Sequence, residues 1–400
     1  MRALVVGGGE CGARAANALR ERGHAVTLVG AEVPYERPPL SKAVLTAEAA
    51  RADVDVPDVA FTPGVTATSL DTAAHAVELS DGRTLAYDRL LLATGAVARR
   101  LPGPAGIHHL RTHADALALR EALRPGARVG VIGGGFIGLE LASSAVARGC
   151  RVTVVEMAPR LMGRAVPEPV AQVMQDRHAA AGVDVRCGTG VSGLERDAAG
   201  WRLELTDGNP LTCDVMVAGI GSVPETALAE KAGLAVENGV RVDELFTTSD
   251  PDVFAAGDCC SFPHPLYGGR RLRLESWRAA RDQGDAAAAA MLGEGEPYAA
   301  VPWFWSDQHD LSLQIAGLPS ASATEIVRSR PDGVDVRFGL DADGRLLAAC
   351  AVGPGNAVAK DIRLAEMLIA RRAVPDAGAL ADPAVTLKSL LRVSPSTPAA

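Results

Sequence analysis

Ala3-Leu4-Val5-Val6-Gly7-Gly8-Gly9-Glu10-Cys11-Gly12 decides the fold, because the chain says it twice. The same pattern returns as Val129-Gly130-Val131-Ile132-Gly133-Gly134-Gly135-Phe136-Ile137-Gly138. Each copy is a hydrophobic strand, a Gly-x-Gly-x-x-Gly turn and an alanine-rich helical stretch. Each stretch ends at a glycine, Gly23 or Gly149, and a second strand follows, Ala25 to Val29 or Val152 to Val155. One glycine-rich turn is weak evidence; two with a buried strand before and a helix after point to paired dinucleotide-binding modules. In each turn the first glycine (Gly7, Gly133) permits the tight bend. The second (Gly9, Gly135) lets backbone N–H groups approach a pyrophosphate. The third (Gly12, Gly138) packs helix on strand, which aims the helix N-terminus at the phosphates.

Outward from the turns the copies stay in step. Leu79-Ser80-Asp81-Gly82, Asp88 and Gly95 correspond to Leu205-Thr206-Asp207-Gly208, Asp214 and Gly221, so each half is a βαβ unit plus a small meander with Asp-Gly hairpin turns. Glu156 directly follows the second strand of the second copy, eighteen positions after Gly138. A carboxylate there accepts hydrogen bonds from ribose hydroxyls and repels a 2′-phosphate, which favours NADH over NADPH. Arg151, Arg160 and Arg164 nearby weaken that preference slightly. In the first copy the same place holds Gly30, followed by Ala31 and Glu32, so that site either uses Glu32 or lacks the ribose carboxylate. Leu90-Leu91-Leu92-Ala93-Thr94-Gly95 reads as a buried strand ending in small residues beside a dinucleotide. Thr248 to Asp258, with Val253-Phe254-Ala255-Ala256-Gly257-Asp258 at its end, delivers a carboxylate suited to the hydroxyls of a flavin ribityl chain. FAD is therefore expected in the first site. Glu275-Ser276-Trp277 reads as a helix start.

Composition sets the outer limits. Four hundred residues with 48% apolar content suffice for two or three domains. No apolar run approaches the length of a membrane span, and Ala3–Val6 already reads as a buried strand, leaving no room for a signal peptide; a cytoplasmic protein is expected. A formal net charge of −8 disfavours nucleic acid and anionic membranes as partners. The seven cysteines include no Cys-x-x-Cys, and Cys259-Cys260 are adjacent, a poor geometry for a disulfide. Reduced, mostly buried thiols are expected, and redox-disulfide catalysis is disfavoured.

Three further segments carry a resemblance: Pro34-Tyr35-Glu36-Arg37-Pro38-Pro39-Leu40-Ser41-Lys42, Gly135-Phe136-Ile137-Gly138-Leu139-Glu140, and Pro302-Trp303-Phe304-Trp305-Ser306-Asp307-Gln308. With the two turns, they resemble the FAD-dependent ferredoxin reductases, with apoptosis-inducing factor as a relative. That resemblance implies an α/β fold of two Rossmann-type dinucleotide-binding domains, glutathione-reductase-like, plus a C-terminal α+β domain. The FAD-binding domain is expected at 1–102 and 222–298, the NADH-binding domain at 103–221, and a C-terminal interface domain at 299–400 with a loose tail after Val393. The implied FAD contacts are Gly7, Gly9, Gly12, Glu32, Arg37, Lys42, Ala67, Ala93, Thr94, Gly95, Arg111, Gly257, Asp258, Ser276 and Trp277. The implied NADH contacts are Gly133, Gly135, Ile137, Gly138, Glu140, Glu156, Arg164, Gly219 and Gly221. Lys42 and Glu140 are the implied catalytic pair, the lysine by the isoalloxazine and the glutamate at the nicotinamide carboxamide. The family usually carries an acid where this chain has Ala31.

The resemblance further implies hydride transfer from NADH to FAD, then single electrons to a small acidic [2Fe–2S] ferredoxin or a rubredoxin serving a P450 or Rieske oxygenase. A monomer or weak homodimer is expected. Two other readings stay open: an NADH oxidase or diaphorase acting on oxygen or quinones, and an NADH-sensing flavoprotein like apoptosis-inducing factor. Arg270-Arg271-Leu272-Arg273 is the candidate patch for docking an acidic carrier. Trp277, Trp303 and Trp305 are either a flavin-edge cluster or core aromatics.

Overall fold

A computed structural model describes residues 1–47, 51–56, 58–163 and 165–392. Two compact units account for the chain, and the first comprises Met1–Arg37, Arg51–Val97 and Ser222–Ala300. Its centre is a five-stranded parallel sheet: Arg2–Val6 lies between Ala25–Gly30 and Arg89–Leu92, with Ala60–Pro63 and Val253–Ala255 at the edges. Parallel strands are covered on both faces, which is why Ala3 to Val6 and Leu90 to Leu92 are continuously apolar and buried. The helix Glu10–Glu21 follows the first strand and packs on the helix Trp277–Met291, whose start is capped by the Ser276 side chain accepting from the Ala279 N–H. The approach of these helices is close, since a Cβ at Gly284 would lie 2.6 Å from the Cys11 carbonyl oxygen. The meander Ala67–Asp71, Ala76–Leu79 and Thr84–Ala86 turns at Asp81-Gly82, as its sequence indicates.

The second unit comprises Pro38–Ala50, Ala98–Gly221 and Val301–Ala400. It repeats the pattern with four parallel strands in the order Asp184–Cys187, Arg151–Glu156, Arg128–Ile132 and Val215–Ala218. The helix Phe136–Ala147 follows the strand Arg128–Ile132, and a meander of Val191–Asp197, Gly200–Leu205 and Leu211–Cys213 turns at Asp207-Gly208. Trp201, Leu203, Leu205 and Met216 fill the core between meander and parallel sheet. The same unit holds a five-stranded antiparallel sheet in the order Trp303–Gln308, Leu311–Gly317, Leu346–Pro354, Asp335–Leu340 and Thr324–Ser329. The helix Ala359–Ala370 covers it, burying Ile362, Ala365, Leu368 and Ile369. The molecule is thus α/β with two Rossmann-type modules and a C-terminal α+β part. Among the described residues no helix is long and apolar enough to cross a membrane.

Candidate functional site

The first glycine turn is built from close backbone approaches. Gly7 has φ +119°, and a Cβ there would sit 2.1 Å from the Ala93 carbonyl oxygen; one on Gly12 would sit 1.9 Å from the Gly7 oxygen. Only glycine fits either place, so Gly7, Gly12 and Ala93 lock strand ends and helix start together. Gly9 caps the helix Glu10–Glu21 with no side-chain bond, which leaves its first-turn N–H groups facing outward. The Arg37 guanidinium stands beside this opening, a nitrogen 3.0 Å from where a Gly9 Cβ would be. A glycine cradle, an uncapped helix start and a cation suit a pyrophosphate, so the residues present fit FAD on this side.

Several other expected flavin contacts belong to the same unit. Thr94 donates its hydroxyl to the Glu225 carbonyl at 2.6 Å, fixing Thr94-Gly95 at the end of the strand Arg89–Leu92. Gly257 has φ +81° and donates its N–H to Gln283 Oε1 at 2.8 Å, which sets Asp258 just past the strand Val253–Ala255. The Glu32 carboxylate accepts from the buried Tyr35 hydroxyl at 2.8 Å, next to the turn at Gly8. Ala67 begins a meander strand at a register irregularity. Lys42 and Arg111 belong to the second unit, where the Arg111 N–H donates to Asp115 Oδ2 at 3.1 Å.

The second turn repeats the first. Gly133 has φ +106° and its Cβ would lie 2.4 Å from the Gly219 carbonyl oxygen; that of Gly138 would lie 2.2 Å from the Gly133 oxygen. Gly135 has open space where its Cβ would point, at another helix start without a side-chain cap. Glu156 Oε2 accepts from the Gly134 N–H and Oε1 from the Ala158 N–H, both at 2.7 Å. The carboxylate is thus pinned to the turn while lone pairs remain for ribose hydroxyls, an arrangement that fits a dinucleotide. Ile137 and Met157 present apolar side chains to solvent here, Met157 at 80% exposure. Gly221, at φ +94°, accepts from the Arg99 N–H at 2.9 Å. Arg164 lies outside the described residues.

Lys42 and Glu140 do come together: Nζ lies 2.6 Å from Glu140 Oε2. Glu140 is 3% exposed on the first turns of the helix Phe136–Ala147, and a buried carboxylate needs such company. Ser41 Oγ donates to Oε2 at 2.5 Å and Ser306 Oγ to Oε1 at 2.7 Å. Ser144, one helical turn on, donates to the Ser41 carbonyl at 2.6 Å and so holds the Ser41-Lys42 segment against the helix. Two hydroxyl donors and one cation make the Glu140 carboxylate a preorganised polar group in an apolar setting, able to hold a carboxamide in one orientation.

Ser41, Ser306 and Gln308 are functional candidates that the motifs contained but left without a role. For Ser306 and Gln308 the signal was periodicity: on the strand Trp303–Gln308 they share one buried face and Asp307 takes the exposed one. Trp303 and Trp305 stack, with centroids 5.3 Å apart, and Phe304 packs on Phe136 at 4.4 Å.

The arginine run needs correction. Arg271 is half-buried and donates to the Val242 carbonyl at 2.9 Å and to the Ser261 carbonyl, while Arg273 pairs with Glu275 and reaches the Asp258 carbonyl. Only Arg270 of the three is exposed, so this is an internal brace with a single surface cation. The adjacent cysteines match their expectation. Cys259 donates to the Leu92 and Ala256 carbonyls at 3.4 and 3.3 Å, Cys260 bonds Gln283 Oε1 at 3.5 Å, and burial pushes both thiols up. A raised pKa disfavours the thiolate that a nucleophile needs.

Residues 1–284 match the model of the pyridine nucleotide-disulphide oxidoreductases, and residues 303–391 match that of the reductase C-terminal domain. The chain is 43% identical to the anthranilate 1,2-dioxygenase system ferredoxin–NAD(+) reductase component of Burkholderia cepacia, over 97% of this chain and 98% of that protein. It is 38% identical to the p-cumate 2,3-dioxygenase system ferredoxin–NAD(+) reductase component of Pseudomonas putida, over 96% and 97%. Its fold superimposes on the reductase of a covalent putidaredoxin reductase–putidaredoxin complex with a TM-score of 0.91 at 35% identity, covering 98% of each chain.

Proposed function

Since this chain belongs to the pyridine nucleotide-disulphide oxidoreductase family and carries that family's reductase C-terminal domain, we propose that it is the NADH-dependent ferredoxin reductase of an oxygenase system. The observation that carries this reading is two complete glycine turns in a chain whose adjacent cysteines are buried and bonded to oxygen acceptors. Two dinucleotides are accommodated, and the seven cysteines, all among the described residues, are free thiols, with Cys259 and Cys260 buried. Bound FAD would supply the chemistry, taking a hydride from NADH and giving up electrons one at a time to a [2Fe–2S] ferredoxin or a rubredoxin serving a P450 or Rieske oxygenase.

The protein's own residues bind, orient and tune. We assign residues 1–102 and 222–298 to FAD, 103–221 to NADH and 299–400 to a C-terminal interface domain. Gly7, Gly9, Gly12 and Arg37 hold the flavin pyrophosphate. Asp258 accepts from the ribityl hydroxyls, and the helix starting at Ser276-Trp277 turns its positive end to the flavin pyrimidine edge. Glu32, Ala67, Ala93, Thr94, Gly95, Arg111 and Gly257 complete the flavin contacts. Gly133, Gly135, Gly138, Ile137, Gly219 and Gly221 cradle NADH, with Arg164 beside them, and Glu156 selects it over NADPH. Glu140 orients the carboxamide and Lys42 keeps that carboxylate compensated. No proton transfer by the protein is needed, so placement is its main contribution.

The carrier is a small acidic [2Fe–2S] ferredoxin or a rubredoxin, and the reductase acts in the cytoplasm as a monomer or weak homodimer. The test is NADH-driven cytochrome c reduction with and without added [2Fe–2S] ferredoxin. Ferredoxin-dependent turnover is expected. Oxygen uptake as fast without ferredoxin would favour an oxidase instead.

A further inference from the structure

A line of buried polar side chains runs away from Glu140, and hydrogen counting fixes its direction. Ser306 has one hydroxyl proton, and it goes to Glu140 Oε1 at 2.7 Å. Ser306 Oγ must then accept from Gln308, whose Nε2 lies 3.0 Å away. That turns the Gln308 carbonyl oxygen to His178, where Nε2 lies 2.9 Å off and must be the protonated ring nitrogen. His178 Nδ1 is then the bare nitrogen, and it accepts from His309 Nε2 at 3.1 Å. Every donor points toward the carboxylate, so each bond polarises the next in the same sense.

We propose that Ser306, Gln308 and His178 are positioning residues, a one-way hydrogen-bond line starting at His309 that sets the orientation of the Glu140 carboxylate against Lys42. The proposal rests on the assignment of Glu140 to the nicotinamide site. Ser306, Gln308 and His178 are each 0% exposed, which is unusual for three polar side chains in a row and requires that all be satisfied. The far end is fastened too. His309 occupies the left-handed region, φ +55°, a costly conformation for a non-glycine residue, and its N–H donates to Ser143 Oγ at 2.7 Å. Ser143 therefore ties the His309 end of the line to the helix that carries Glu140, and Ser144 holds the neighbouring Ser41-Lys42 segment to the same helix.

The charged groups around the line leave its direction intact. Lys42 faces Glu140; Arg177 lies next to His178 but pairs with Asp310 at 2.5 Å; Asp307 points to the opposite face of its strand and accepts from Trp305 Nε1 at 3.2 Å. Burial lowers the pKa of His178, and burial with the neighbouring His178 and Arg177 lowers that of His309 to about 4, so both rings are neutral at neutral pH.

Two measurements on the FAD-loaded protein test the line. Nitrogen-15 NMR of labelled histidines should find His178 neutral and protonated on Nε2 at pH 7. An imidazolium breaks the line at His309, a proton on Nδ1 reverses it, and either result overturns the proposal. The second is the limiting rate of flavin reduction at saturating NADH, followed against pH. Gln308→Glu keeps the volume and the acceptor for His178, but its ionised carboxyl competes with Glu140 for the single Ser306 proton. Its rate should fall about tenfold as that new carboxyl ionises, with NADH affinity changed less than about threefold, while the unaltered protein stays flat. Ser306→Ala should be about tenfold slow throughout, and Ser306→Thr should recover. A flat, full-rate profile for Gln308→Glu alongside a slow Glu140→Gln overturns the line alone. A full rate in Glu140→Gln overturns the assignment of Glu140, and the line with it.

Discussion

Glu156→Gln is the most discriminating perturbation of the coenzyme site. Both carboxylate oxygens are acceptors, from the Gly134 and Ala158 N–H groups at 2.7 Å. A glutamine can offer its oxygen to one of them only, and its NH₂ then opposes the other N–H, donor against donor. Losing one bond to a charged group costs about 1.5–3 kcal/mol, and the half-buried setting argues for the lower end, about 1.5 kcal/mol or slightly more than tenfold. Those bonds tie the glycine turn to the end of the strand Arg151–Glu156, so NAD⁺ affinity and kcat/KM for NADH should both fall about tenfold. NADPH should lose less, because the substitution also removes the charge that repels its 2′-phosphate. The preference for NADH, at least about tenfold in the unaltered protein, should narrow to about threefold or less. Steady-state kinetics with both coenzymes and NAD⁺ titrations measure this, with the flavin spectrum as control. An unchanged NADH-to-NADPH ratio, or an unaltered protein that prefers NADPH, would refute the role given to Glu156.

Gly12→Ala, whose Cβ would meet the Gly7 oxygen at 1.9 Å, should yield protein nearly free of FAD; Gly138→Ala, at 2.2 Å from the Gly133 oxygen, should retain FAD but lose NAD⁺ binding. Flavin absorbance per chain and NAD⁺ titration separate the two, and full flavin in Gly12→Ala would contradict the turn's function. Cys259→Ser and Cys260→Ser should reduce with NADH within about twofold of the unaltered rate, because their thiols are buried and held up by desolvation; consumption of four electrons per chain in an anaerobic titration would disprove a flavin-only inventory. His108, His109, His178, His264 and His309 all have pKa values lowered, chiefly by burial. The unfolded chain therefore binds more protons below about pH 6.5, and stability should be lost as pH falls from there toward 4. The apparent Tm should drop over that window, less steeply in His309→Asn, whose side chain tolerates the left-handed backbone; a flat Tm would contradict the burial of these rings.

Most of the fold was legible because duplication is a strong signal: two strand–turn–helix units carry their glycines where backbone meets backbone at Ala93 and Gly219. The helix start at Ser276-Trp277 and the Asp-Gly turns were equally local, and local chemistry survives folding. The pairing of Lys42 with Glu140 came only through resemblance, since a contact across about a hundred positions leaves no trace in spacing. His178 was invisible for the same reason: it meets Gln308 from a helix 130 residues away. The arginine run misled in the opposite sense. Charge spacing suggested a surface patch, but the antiparallel pairing of Arg270–Leu272 with Cys260–His264 turns Arg271 inward onto carbonyl oxygens.

One flavin links a two-electron donor to a one-electron acceptor. Anaerobic stopped-flow spectroscopy of the FAD-loaded protein tests it most directly, by mixing first with NADH and then with an oxidised [2Fe–2S] ferredoxin. Rapid bleaching of the flavin by NADH is expected, then reoxidation that requires two ferredoxins per flavin and proceeds with no oxygen present. A flavin that NADH leaves oxidised, or one that ferredoxin leaves reduced while oxygen reoxidises it at once, would contradict it.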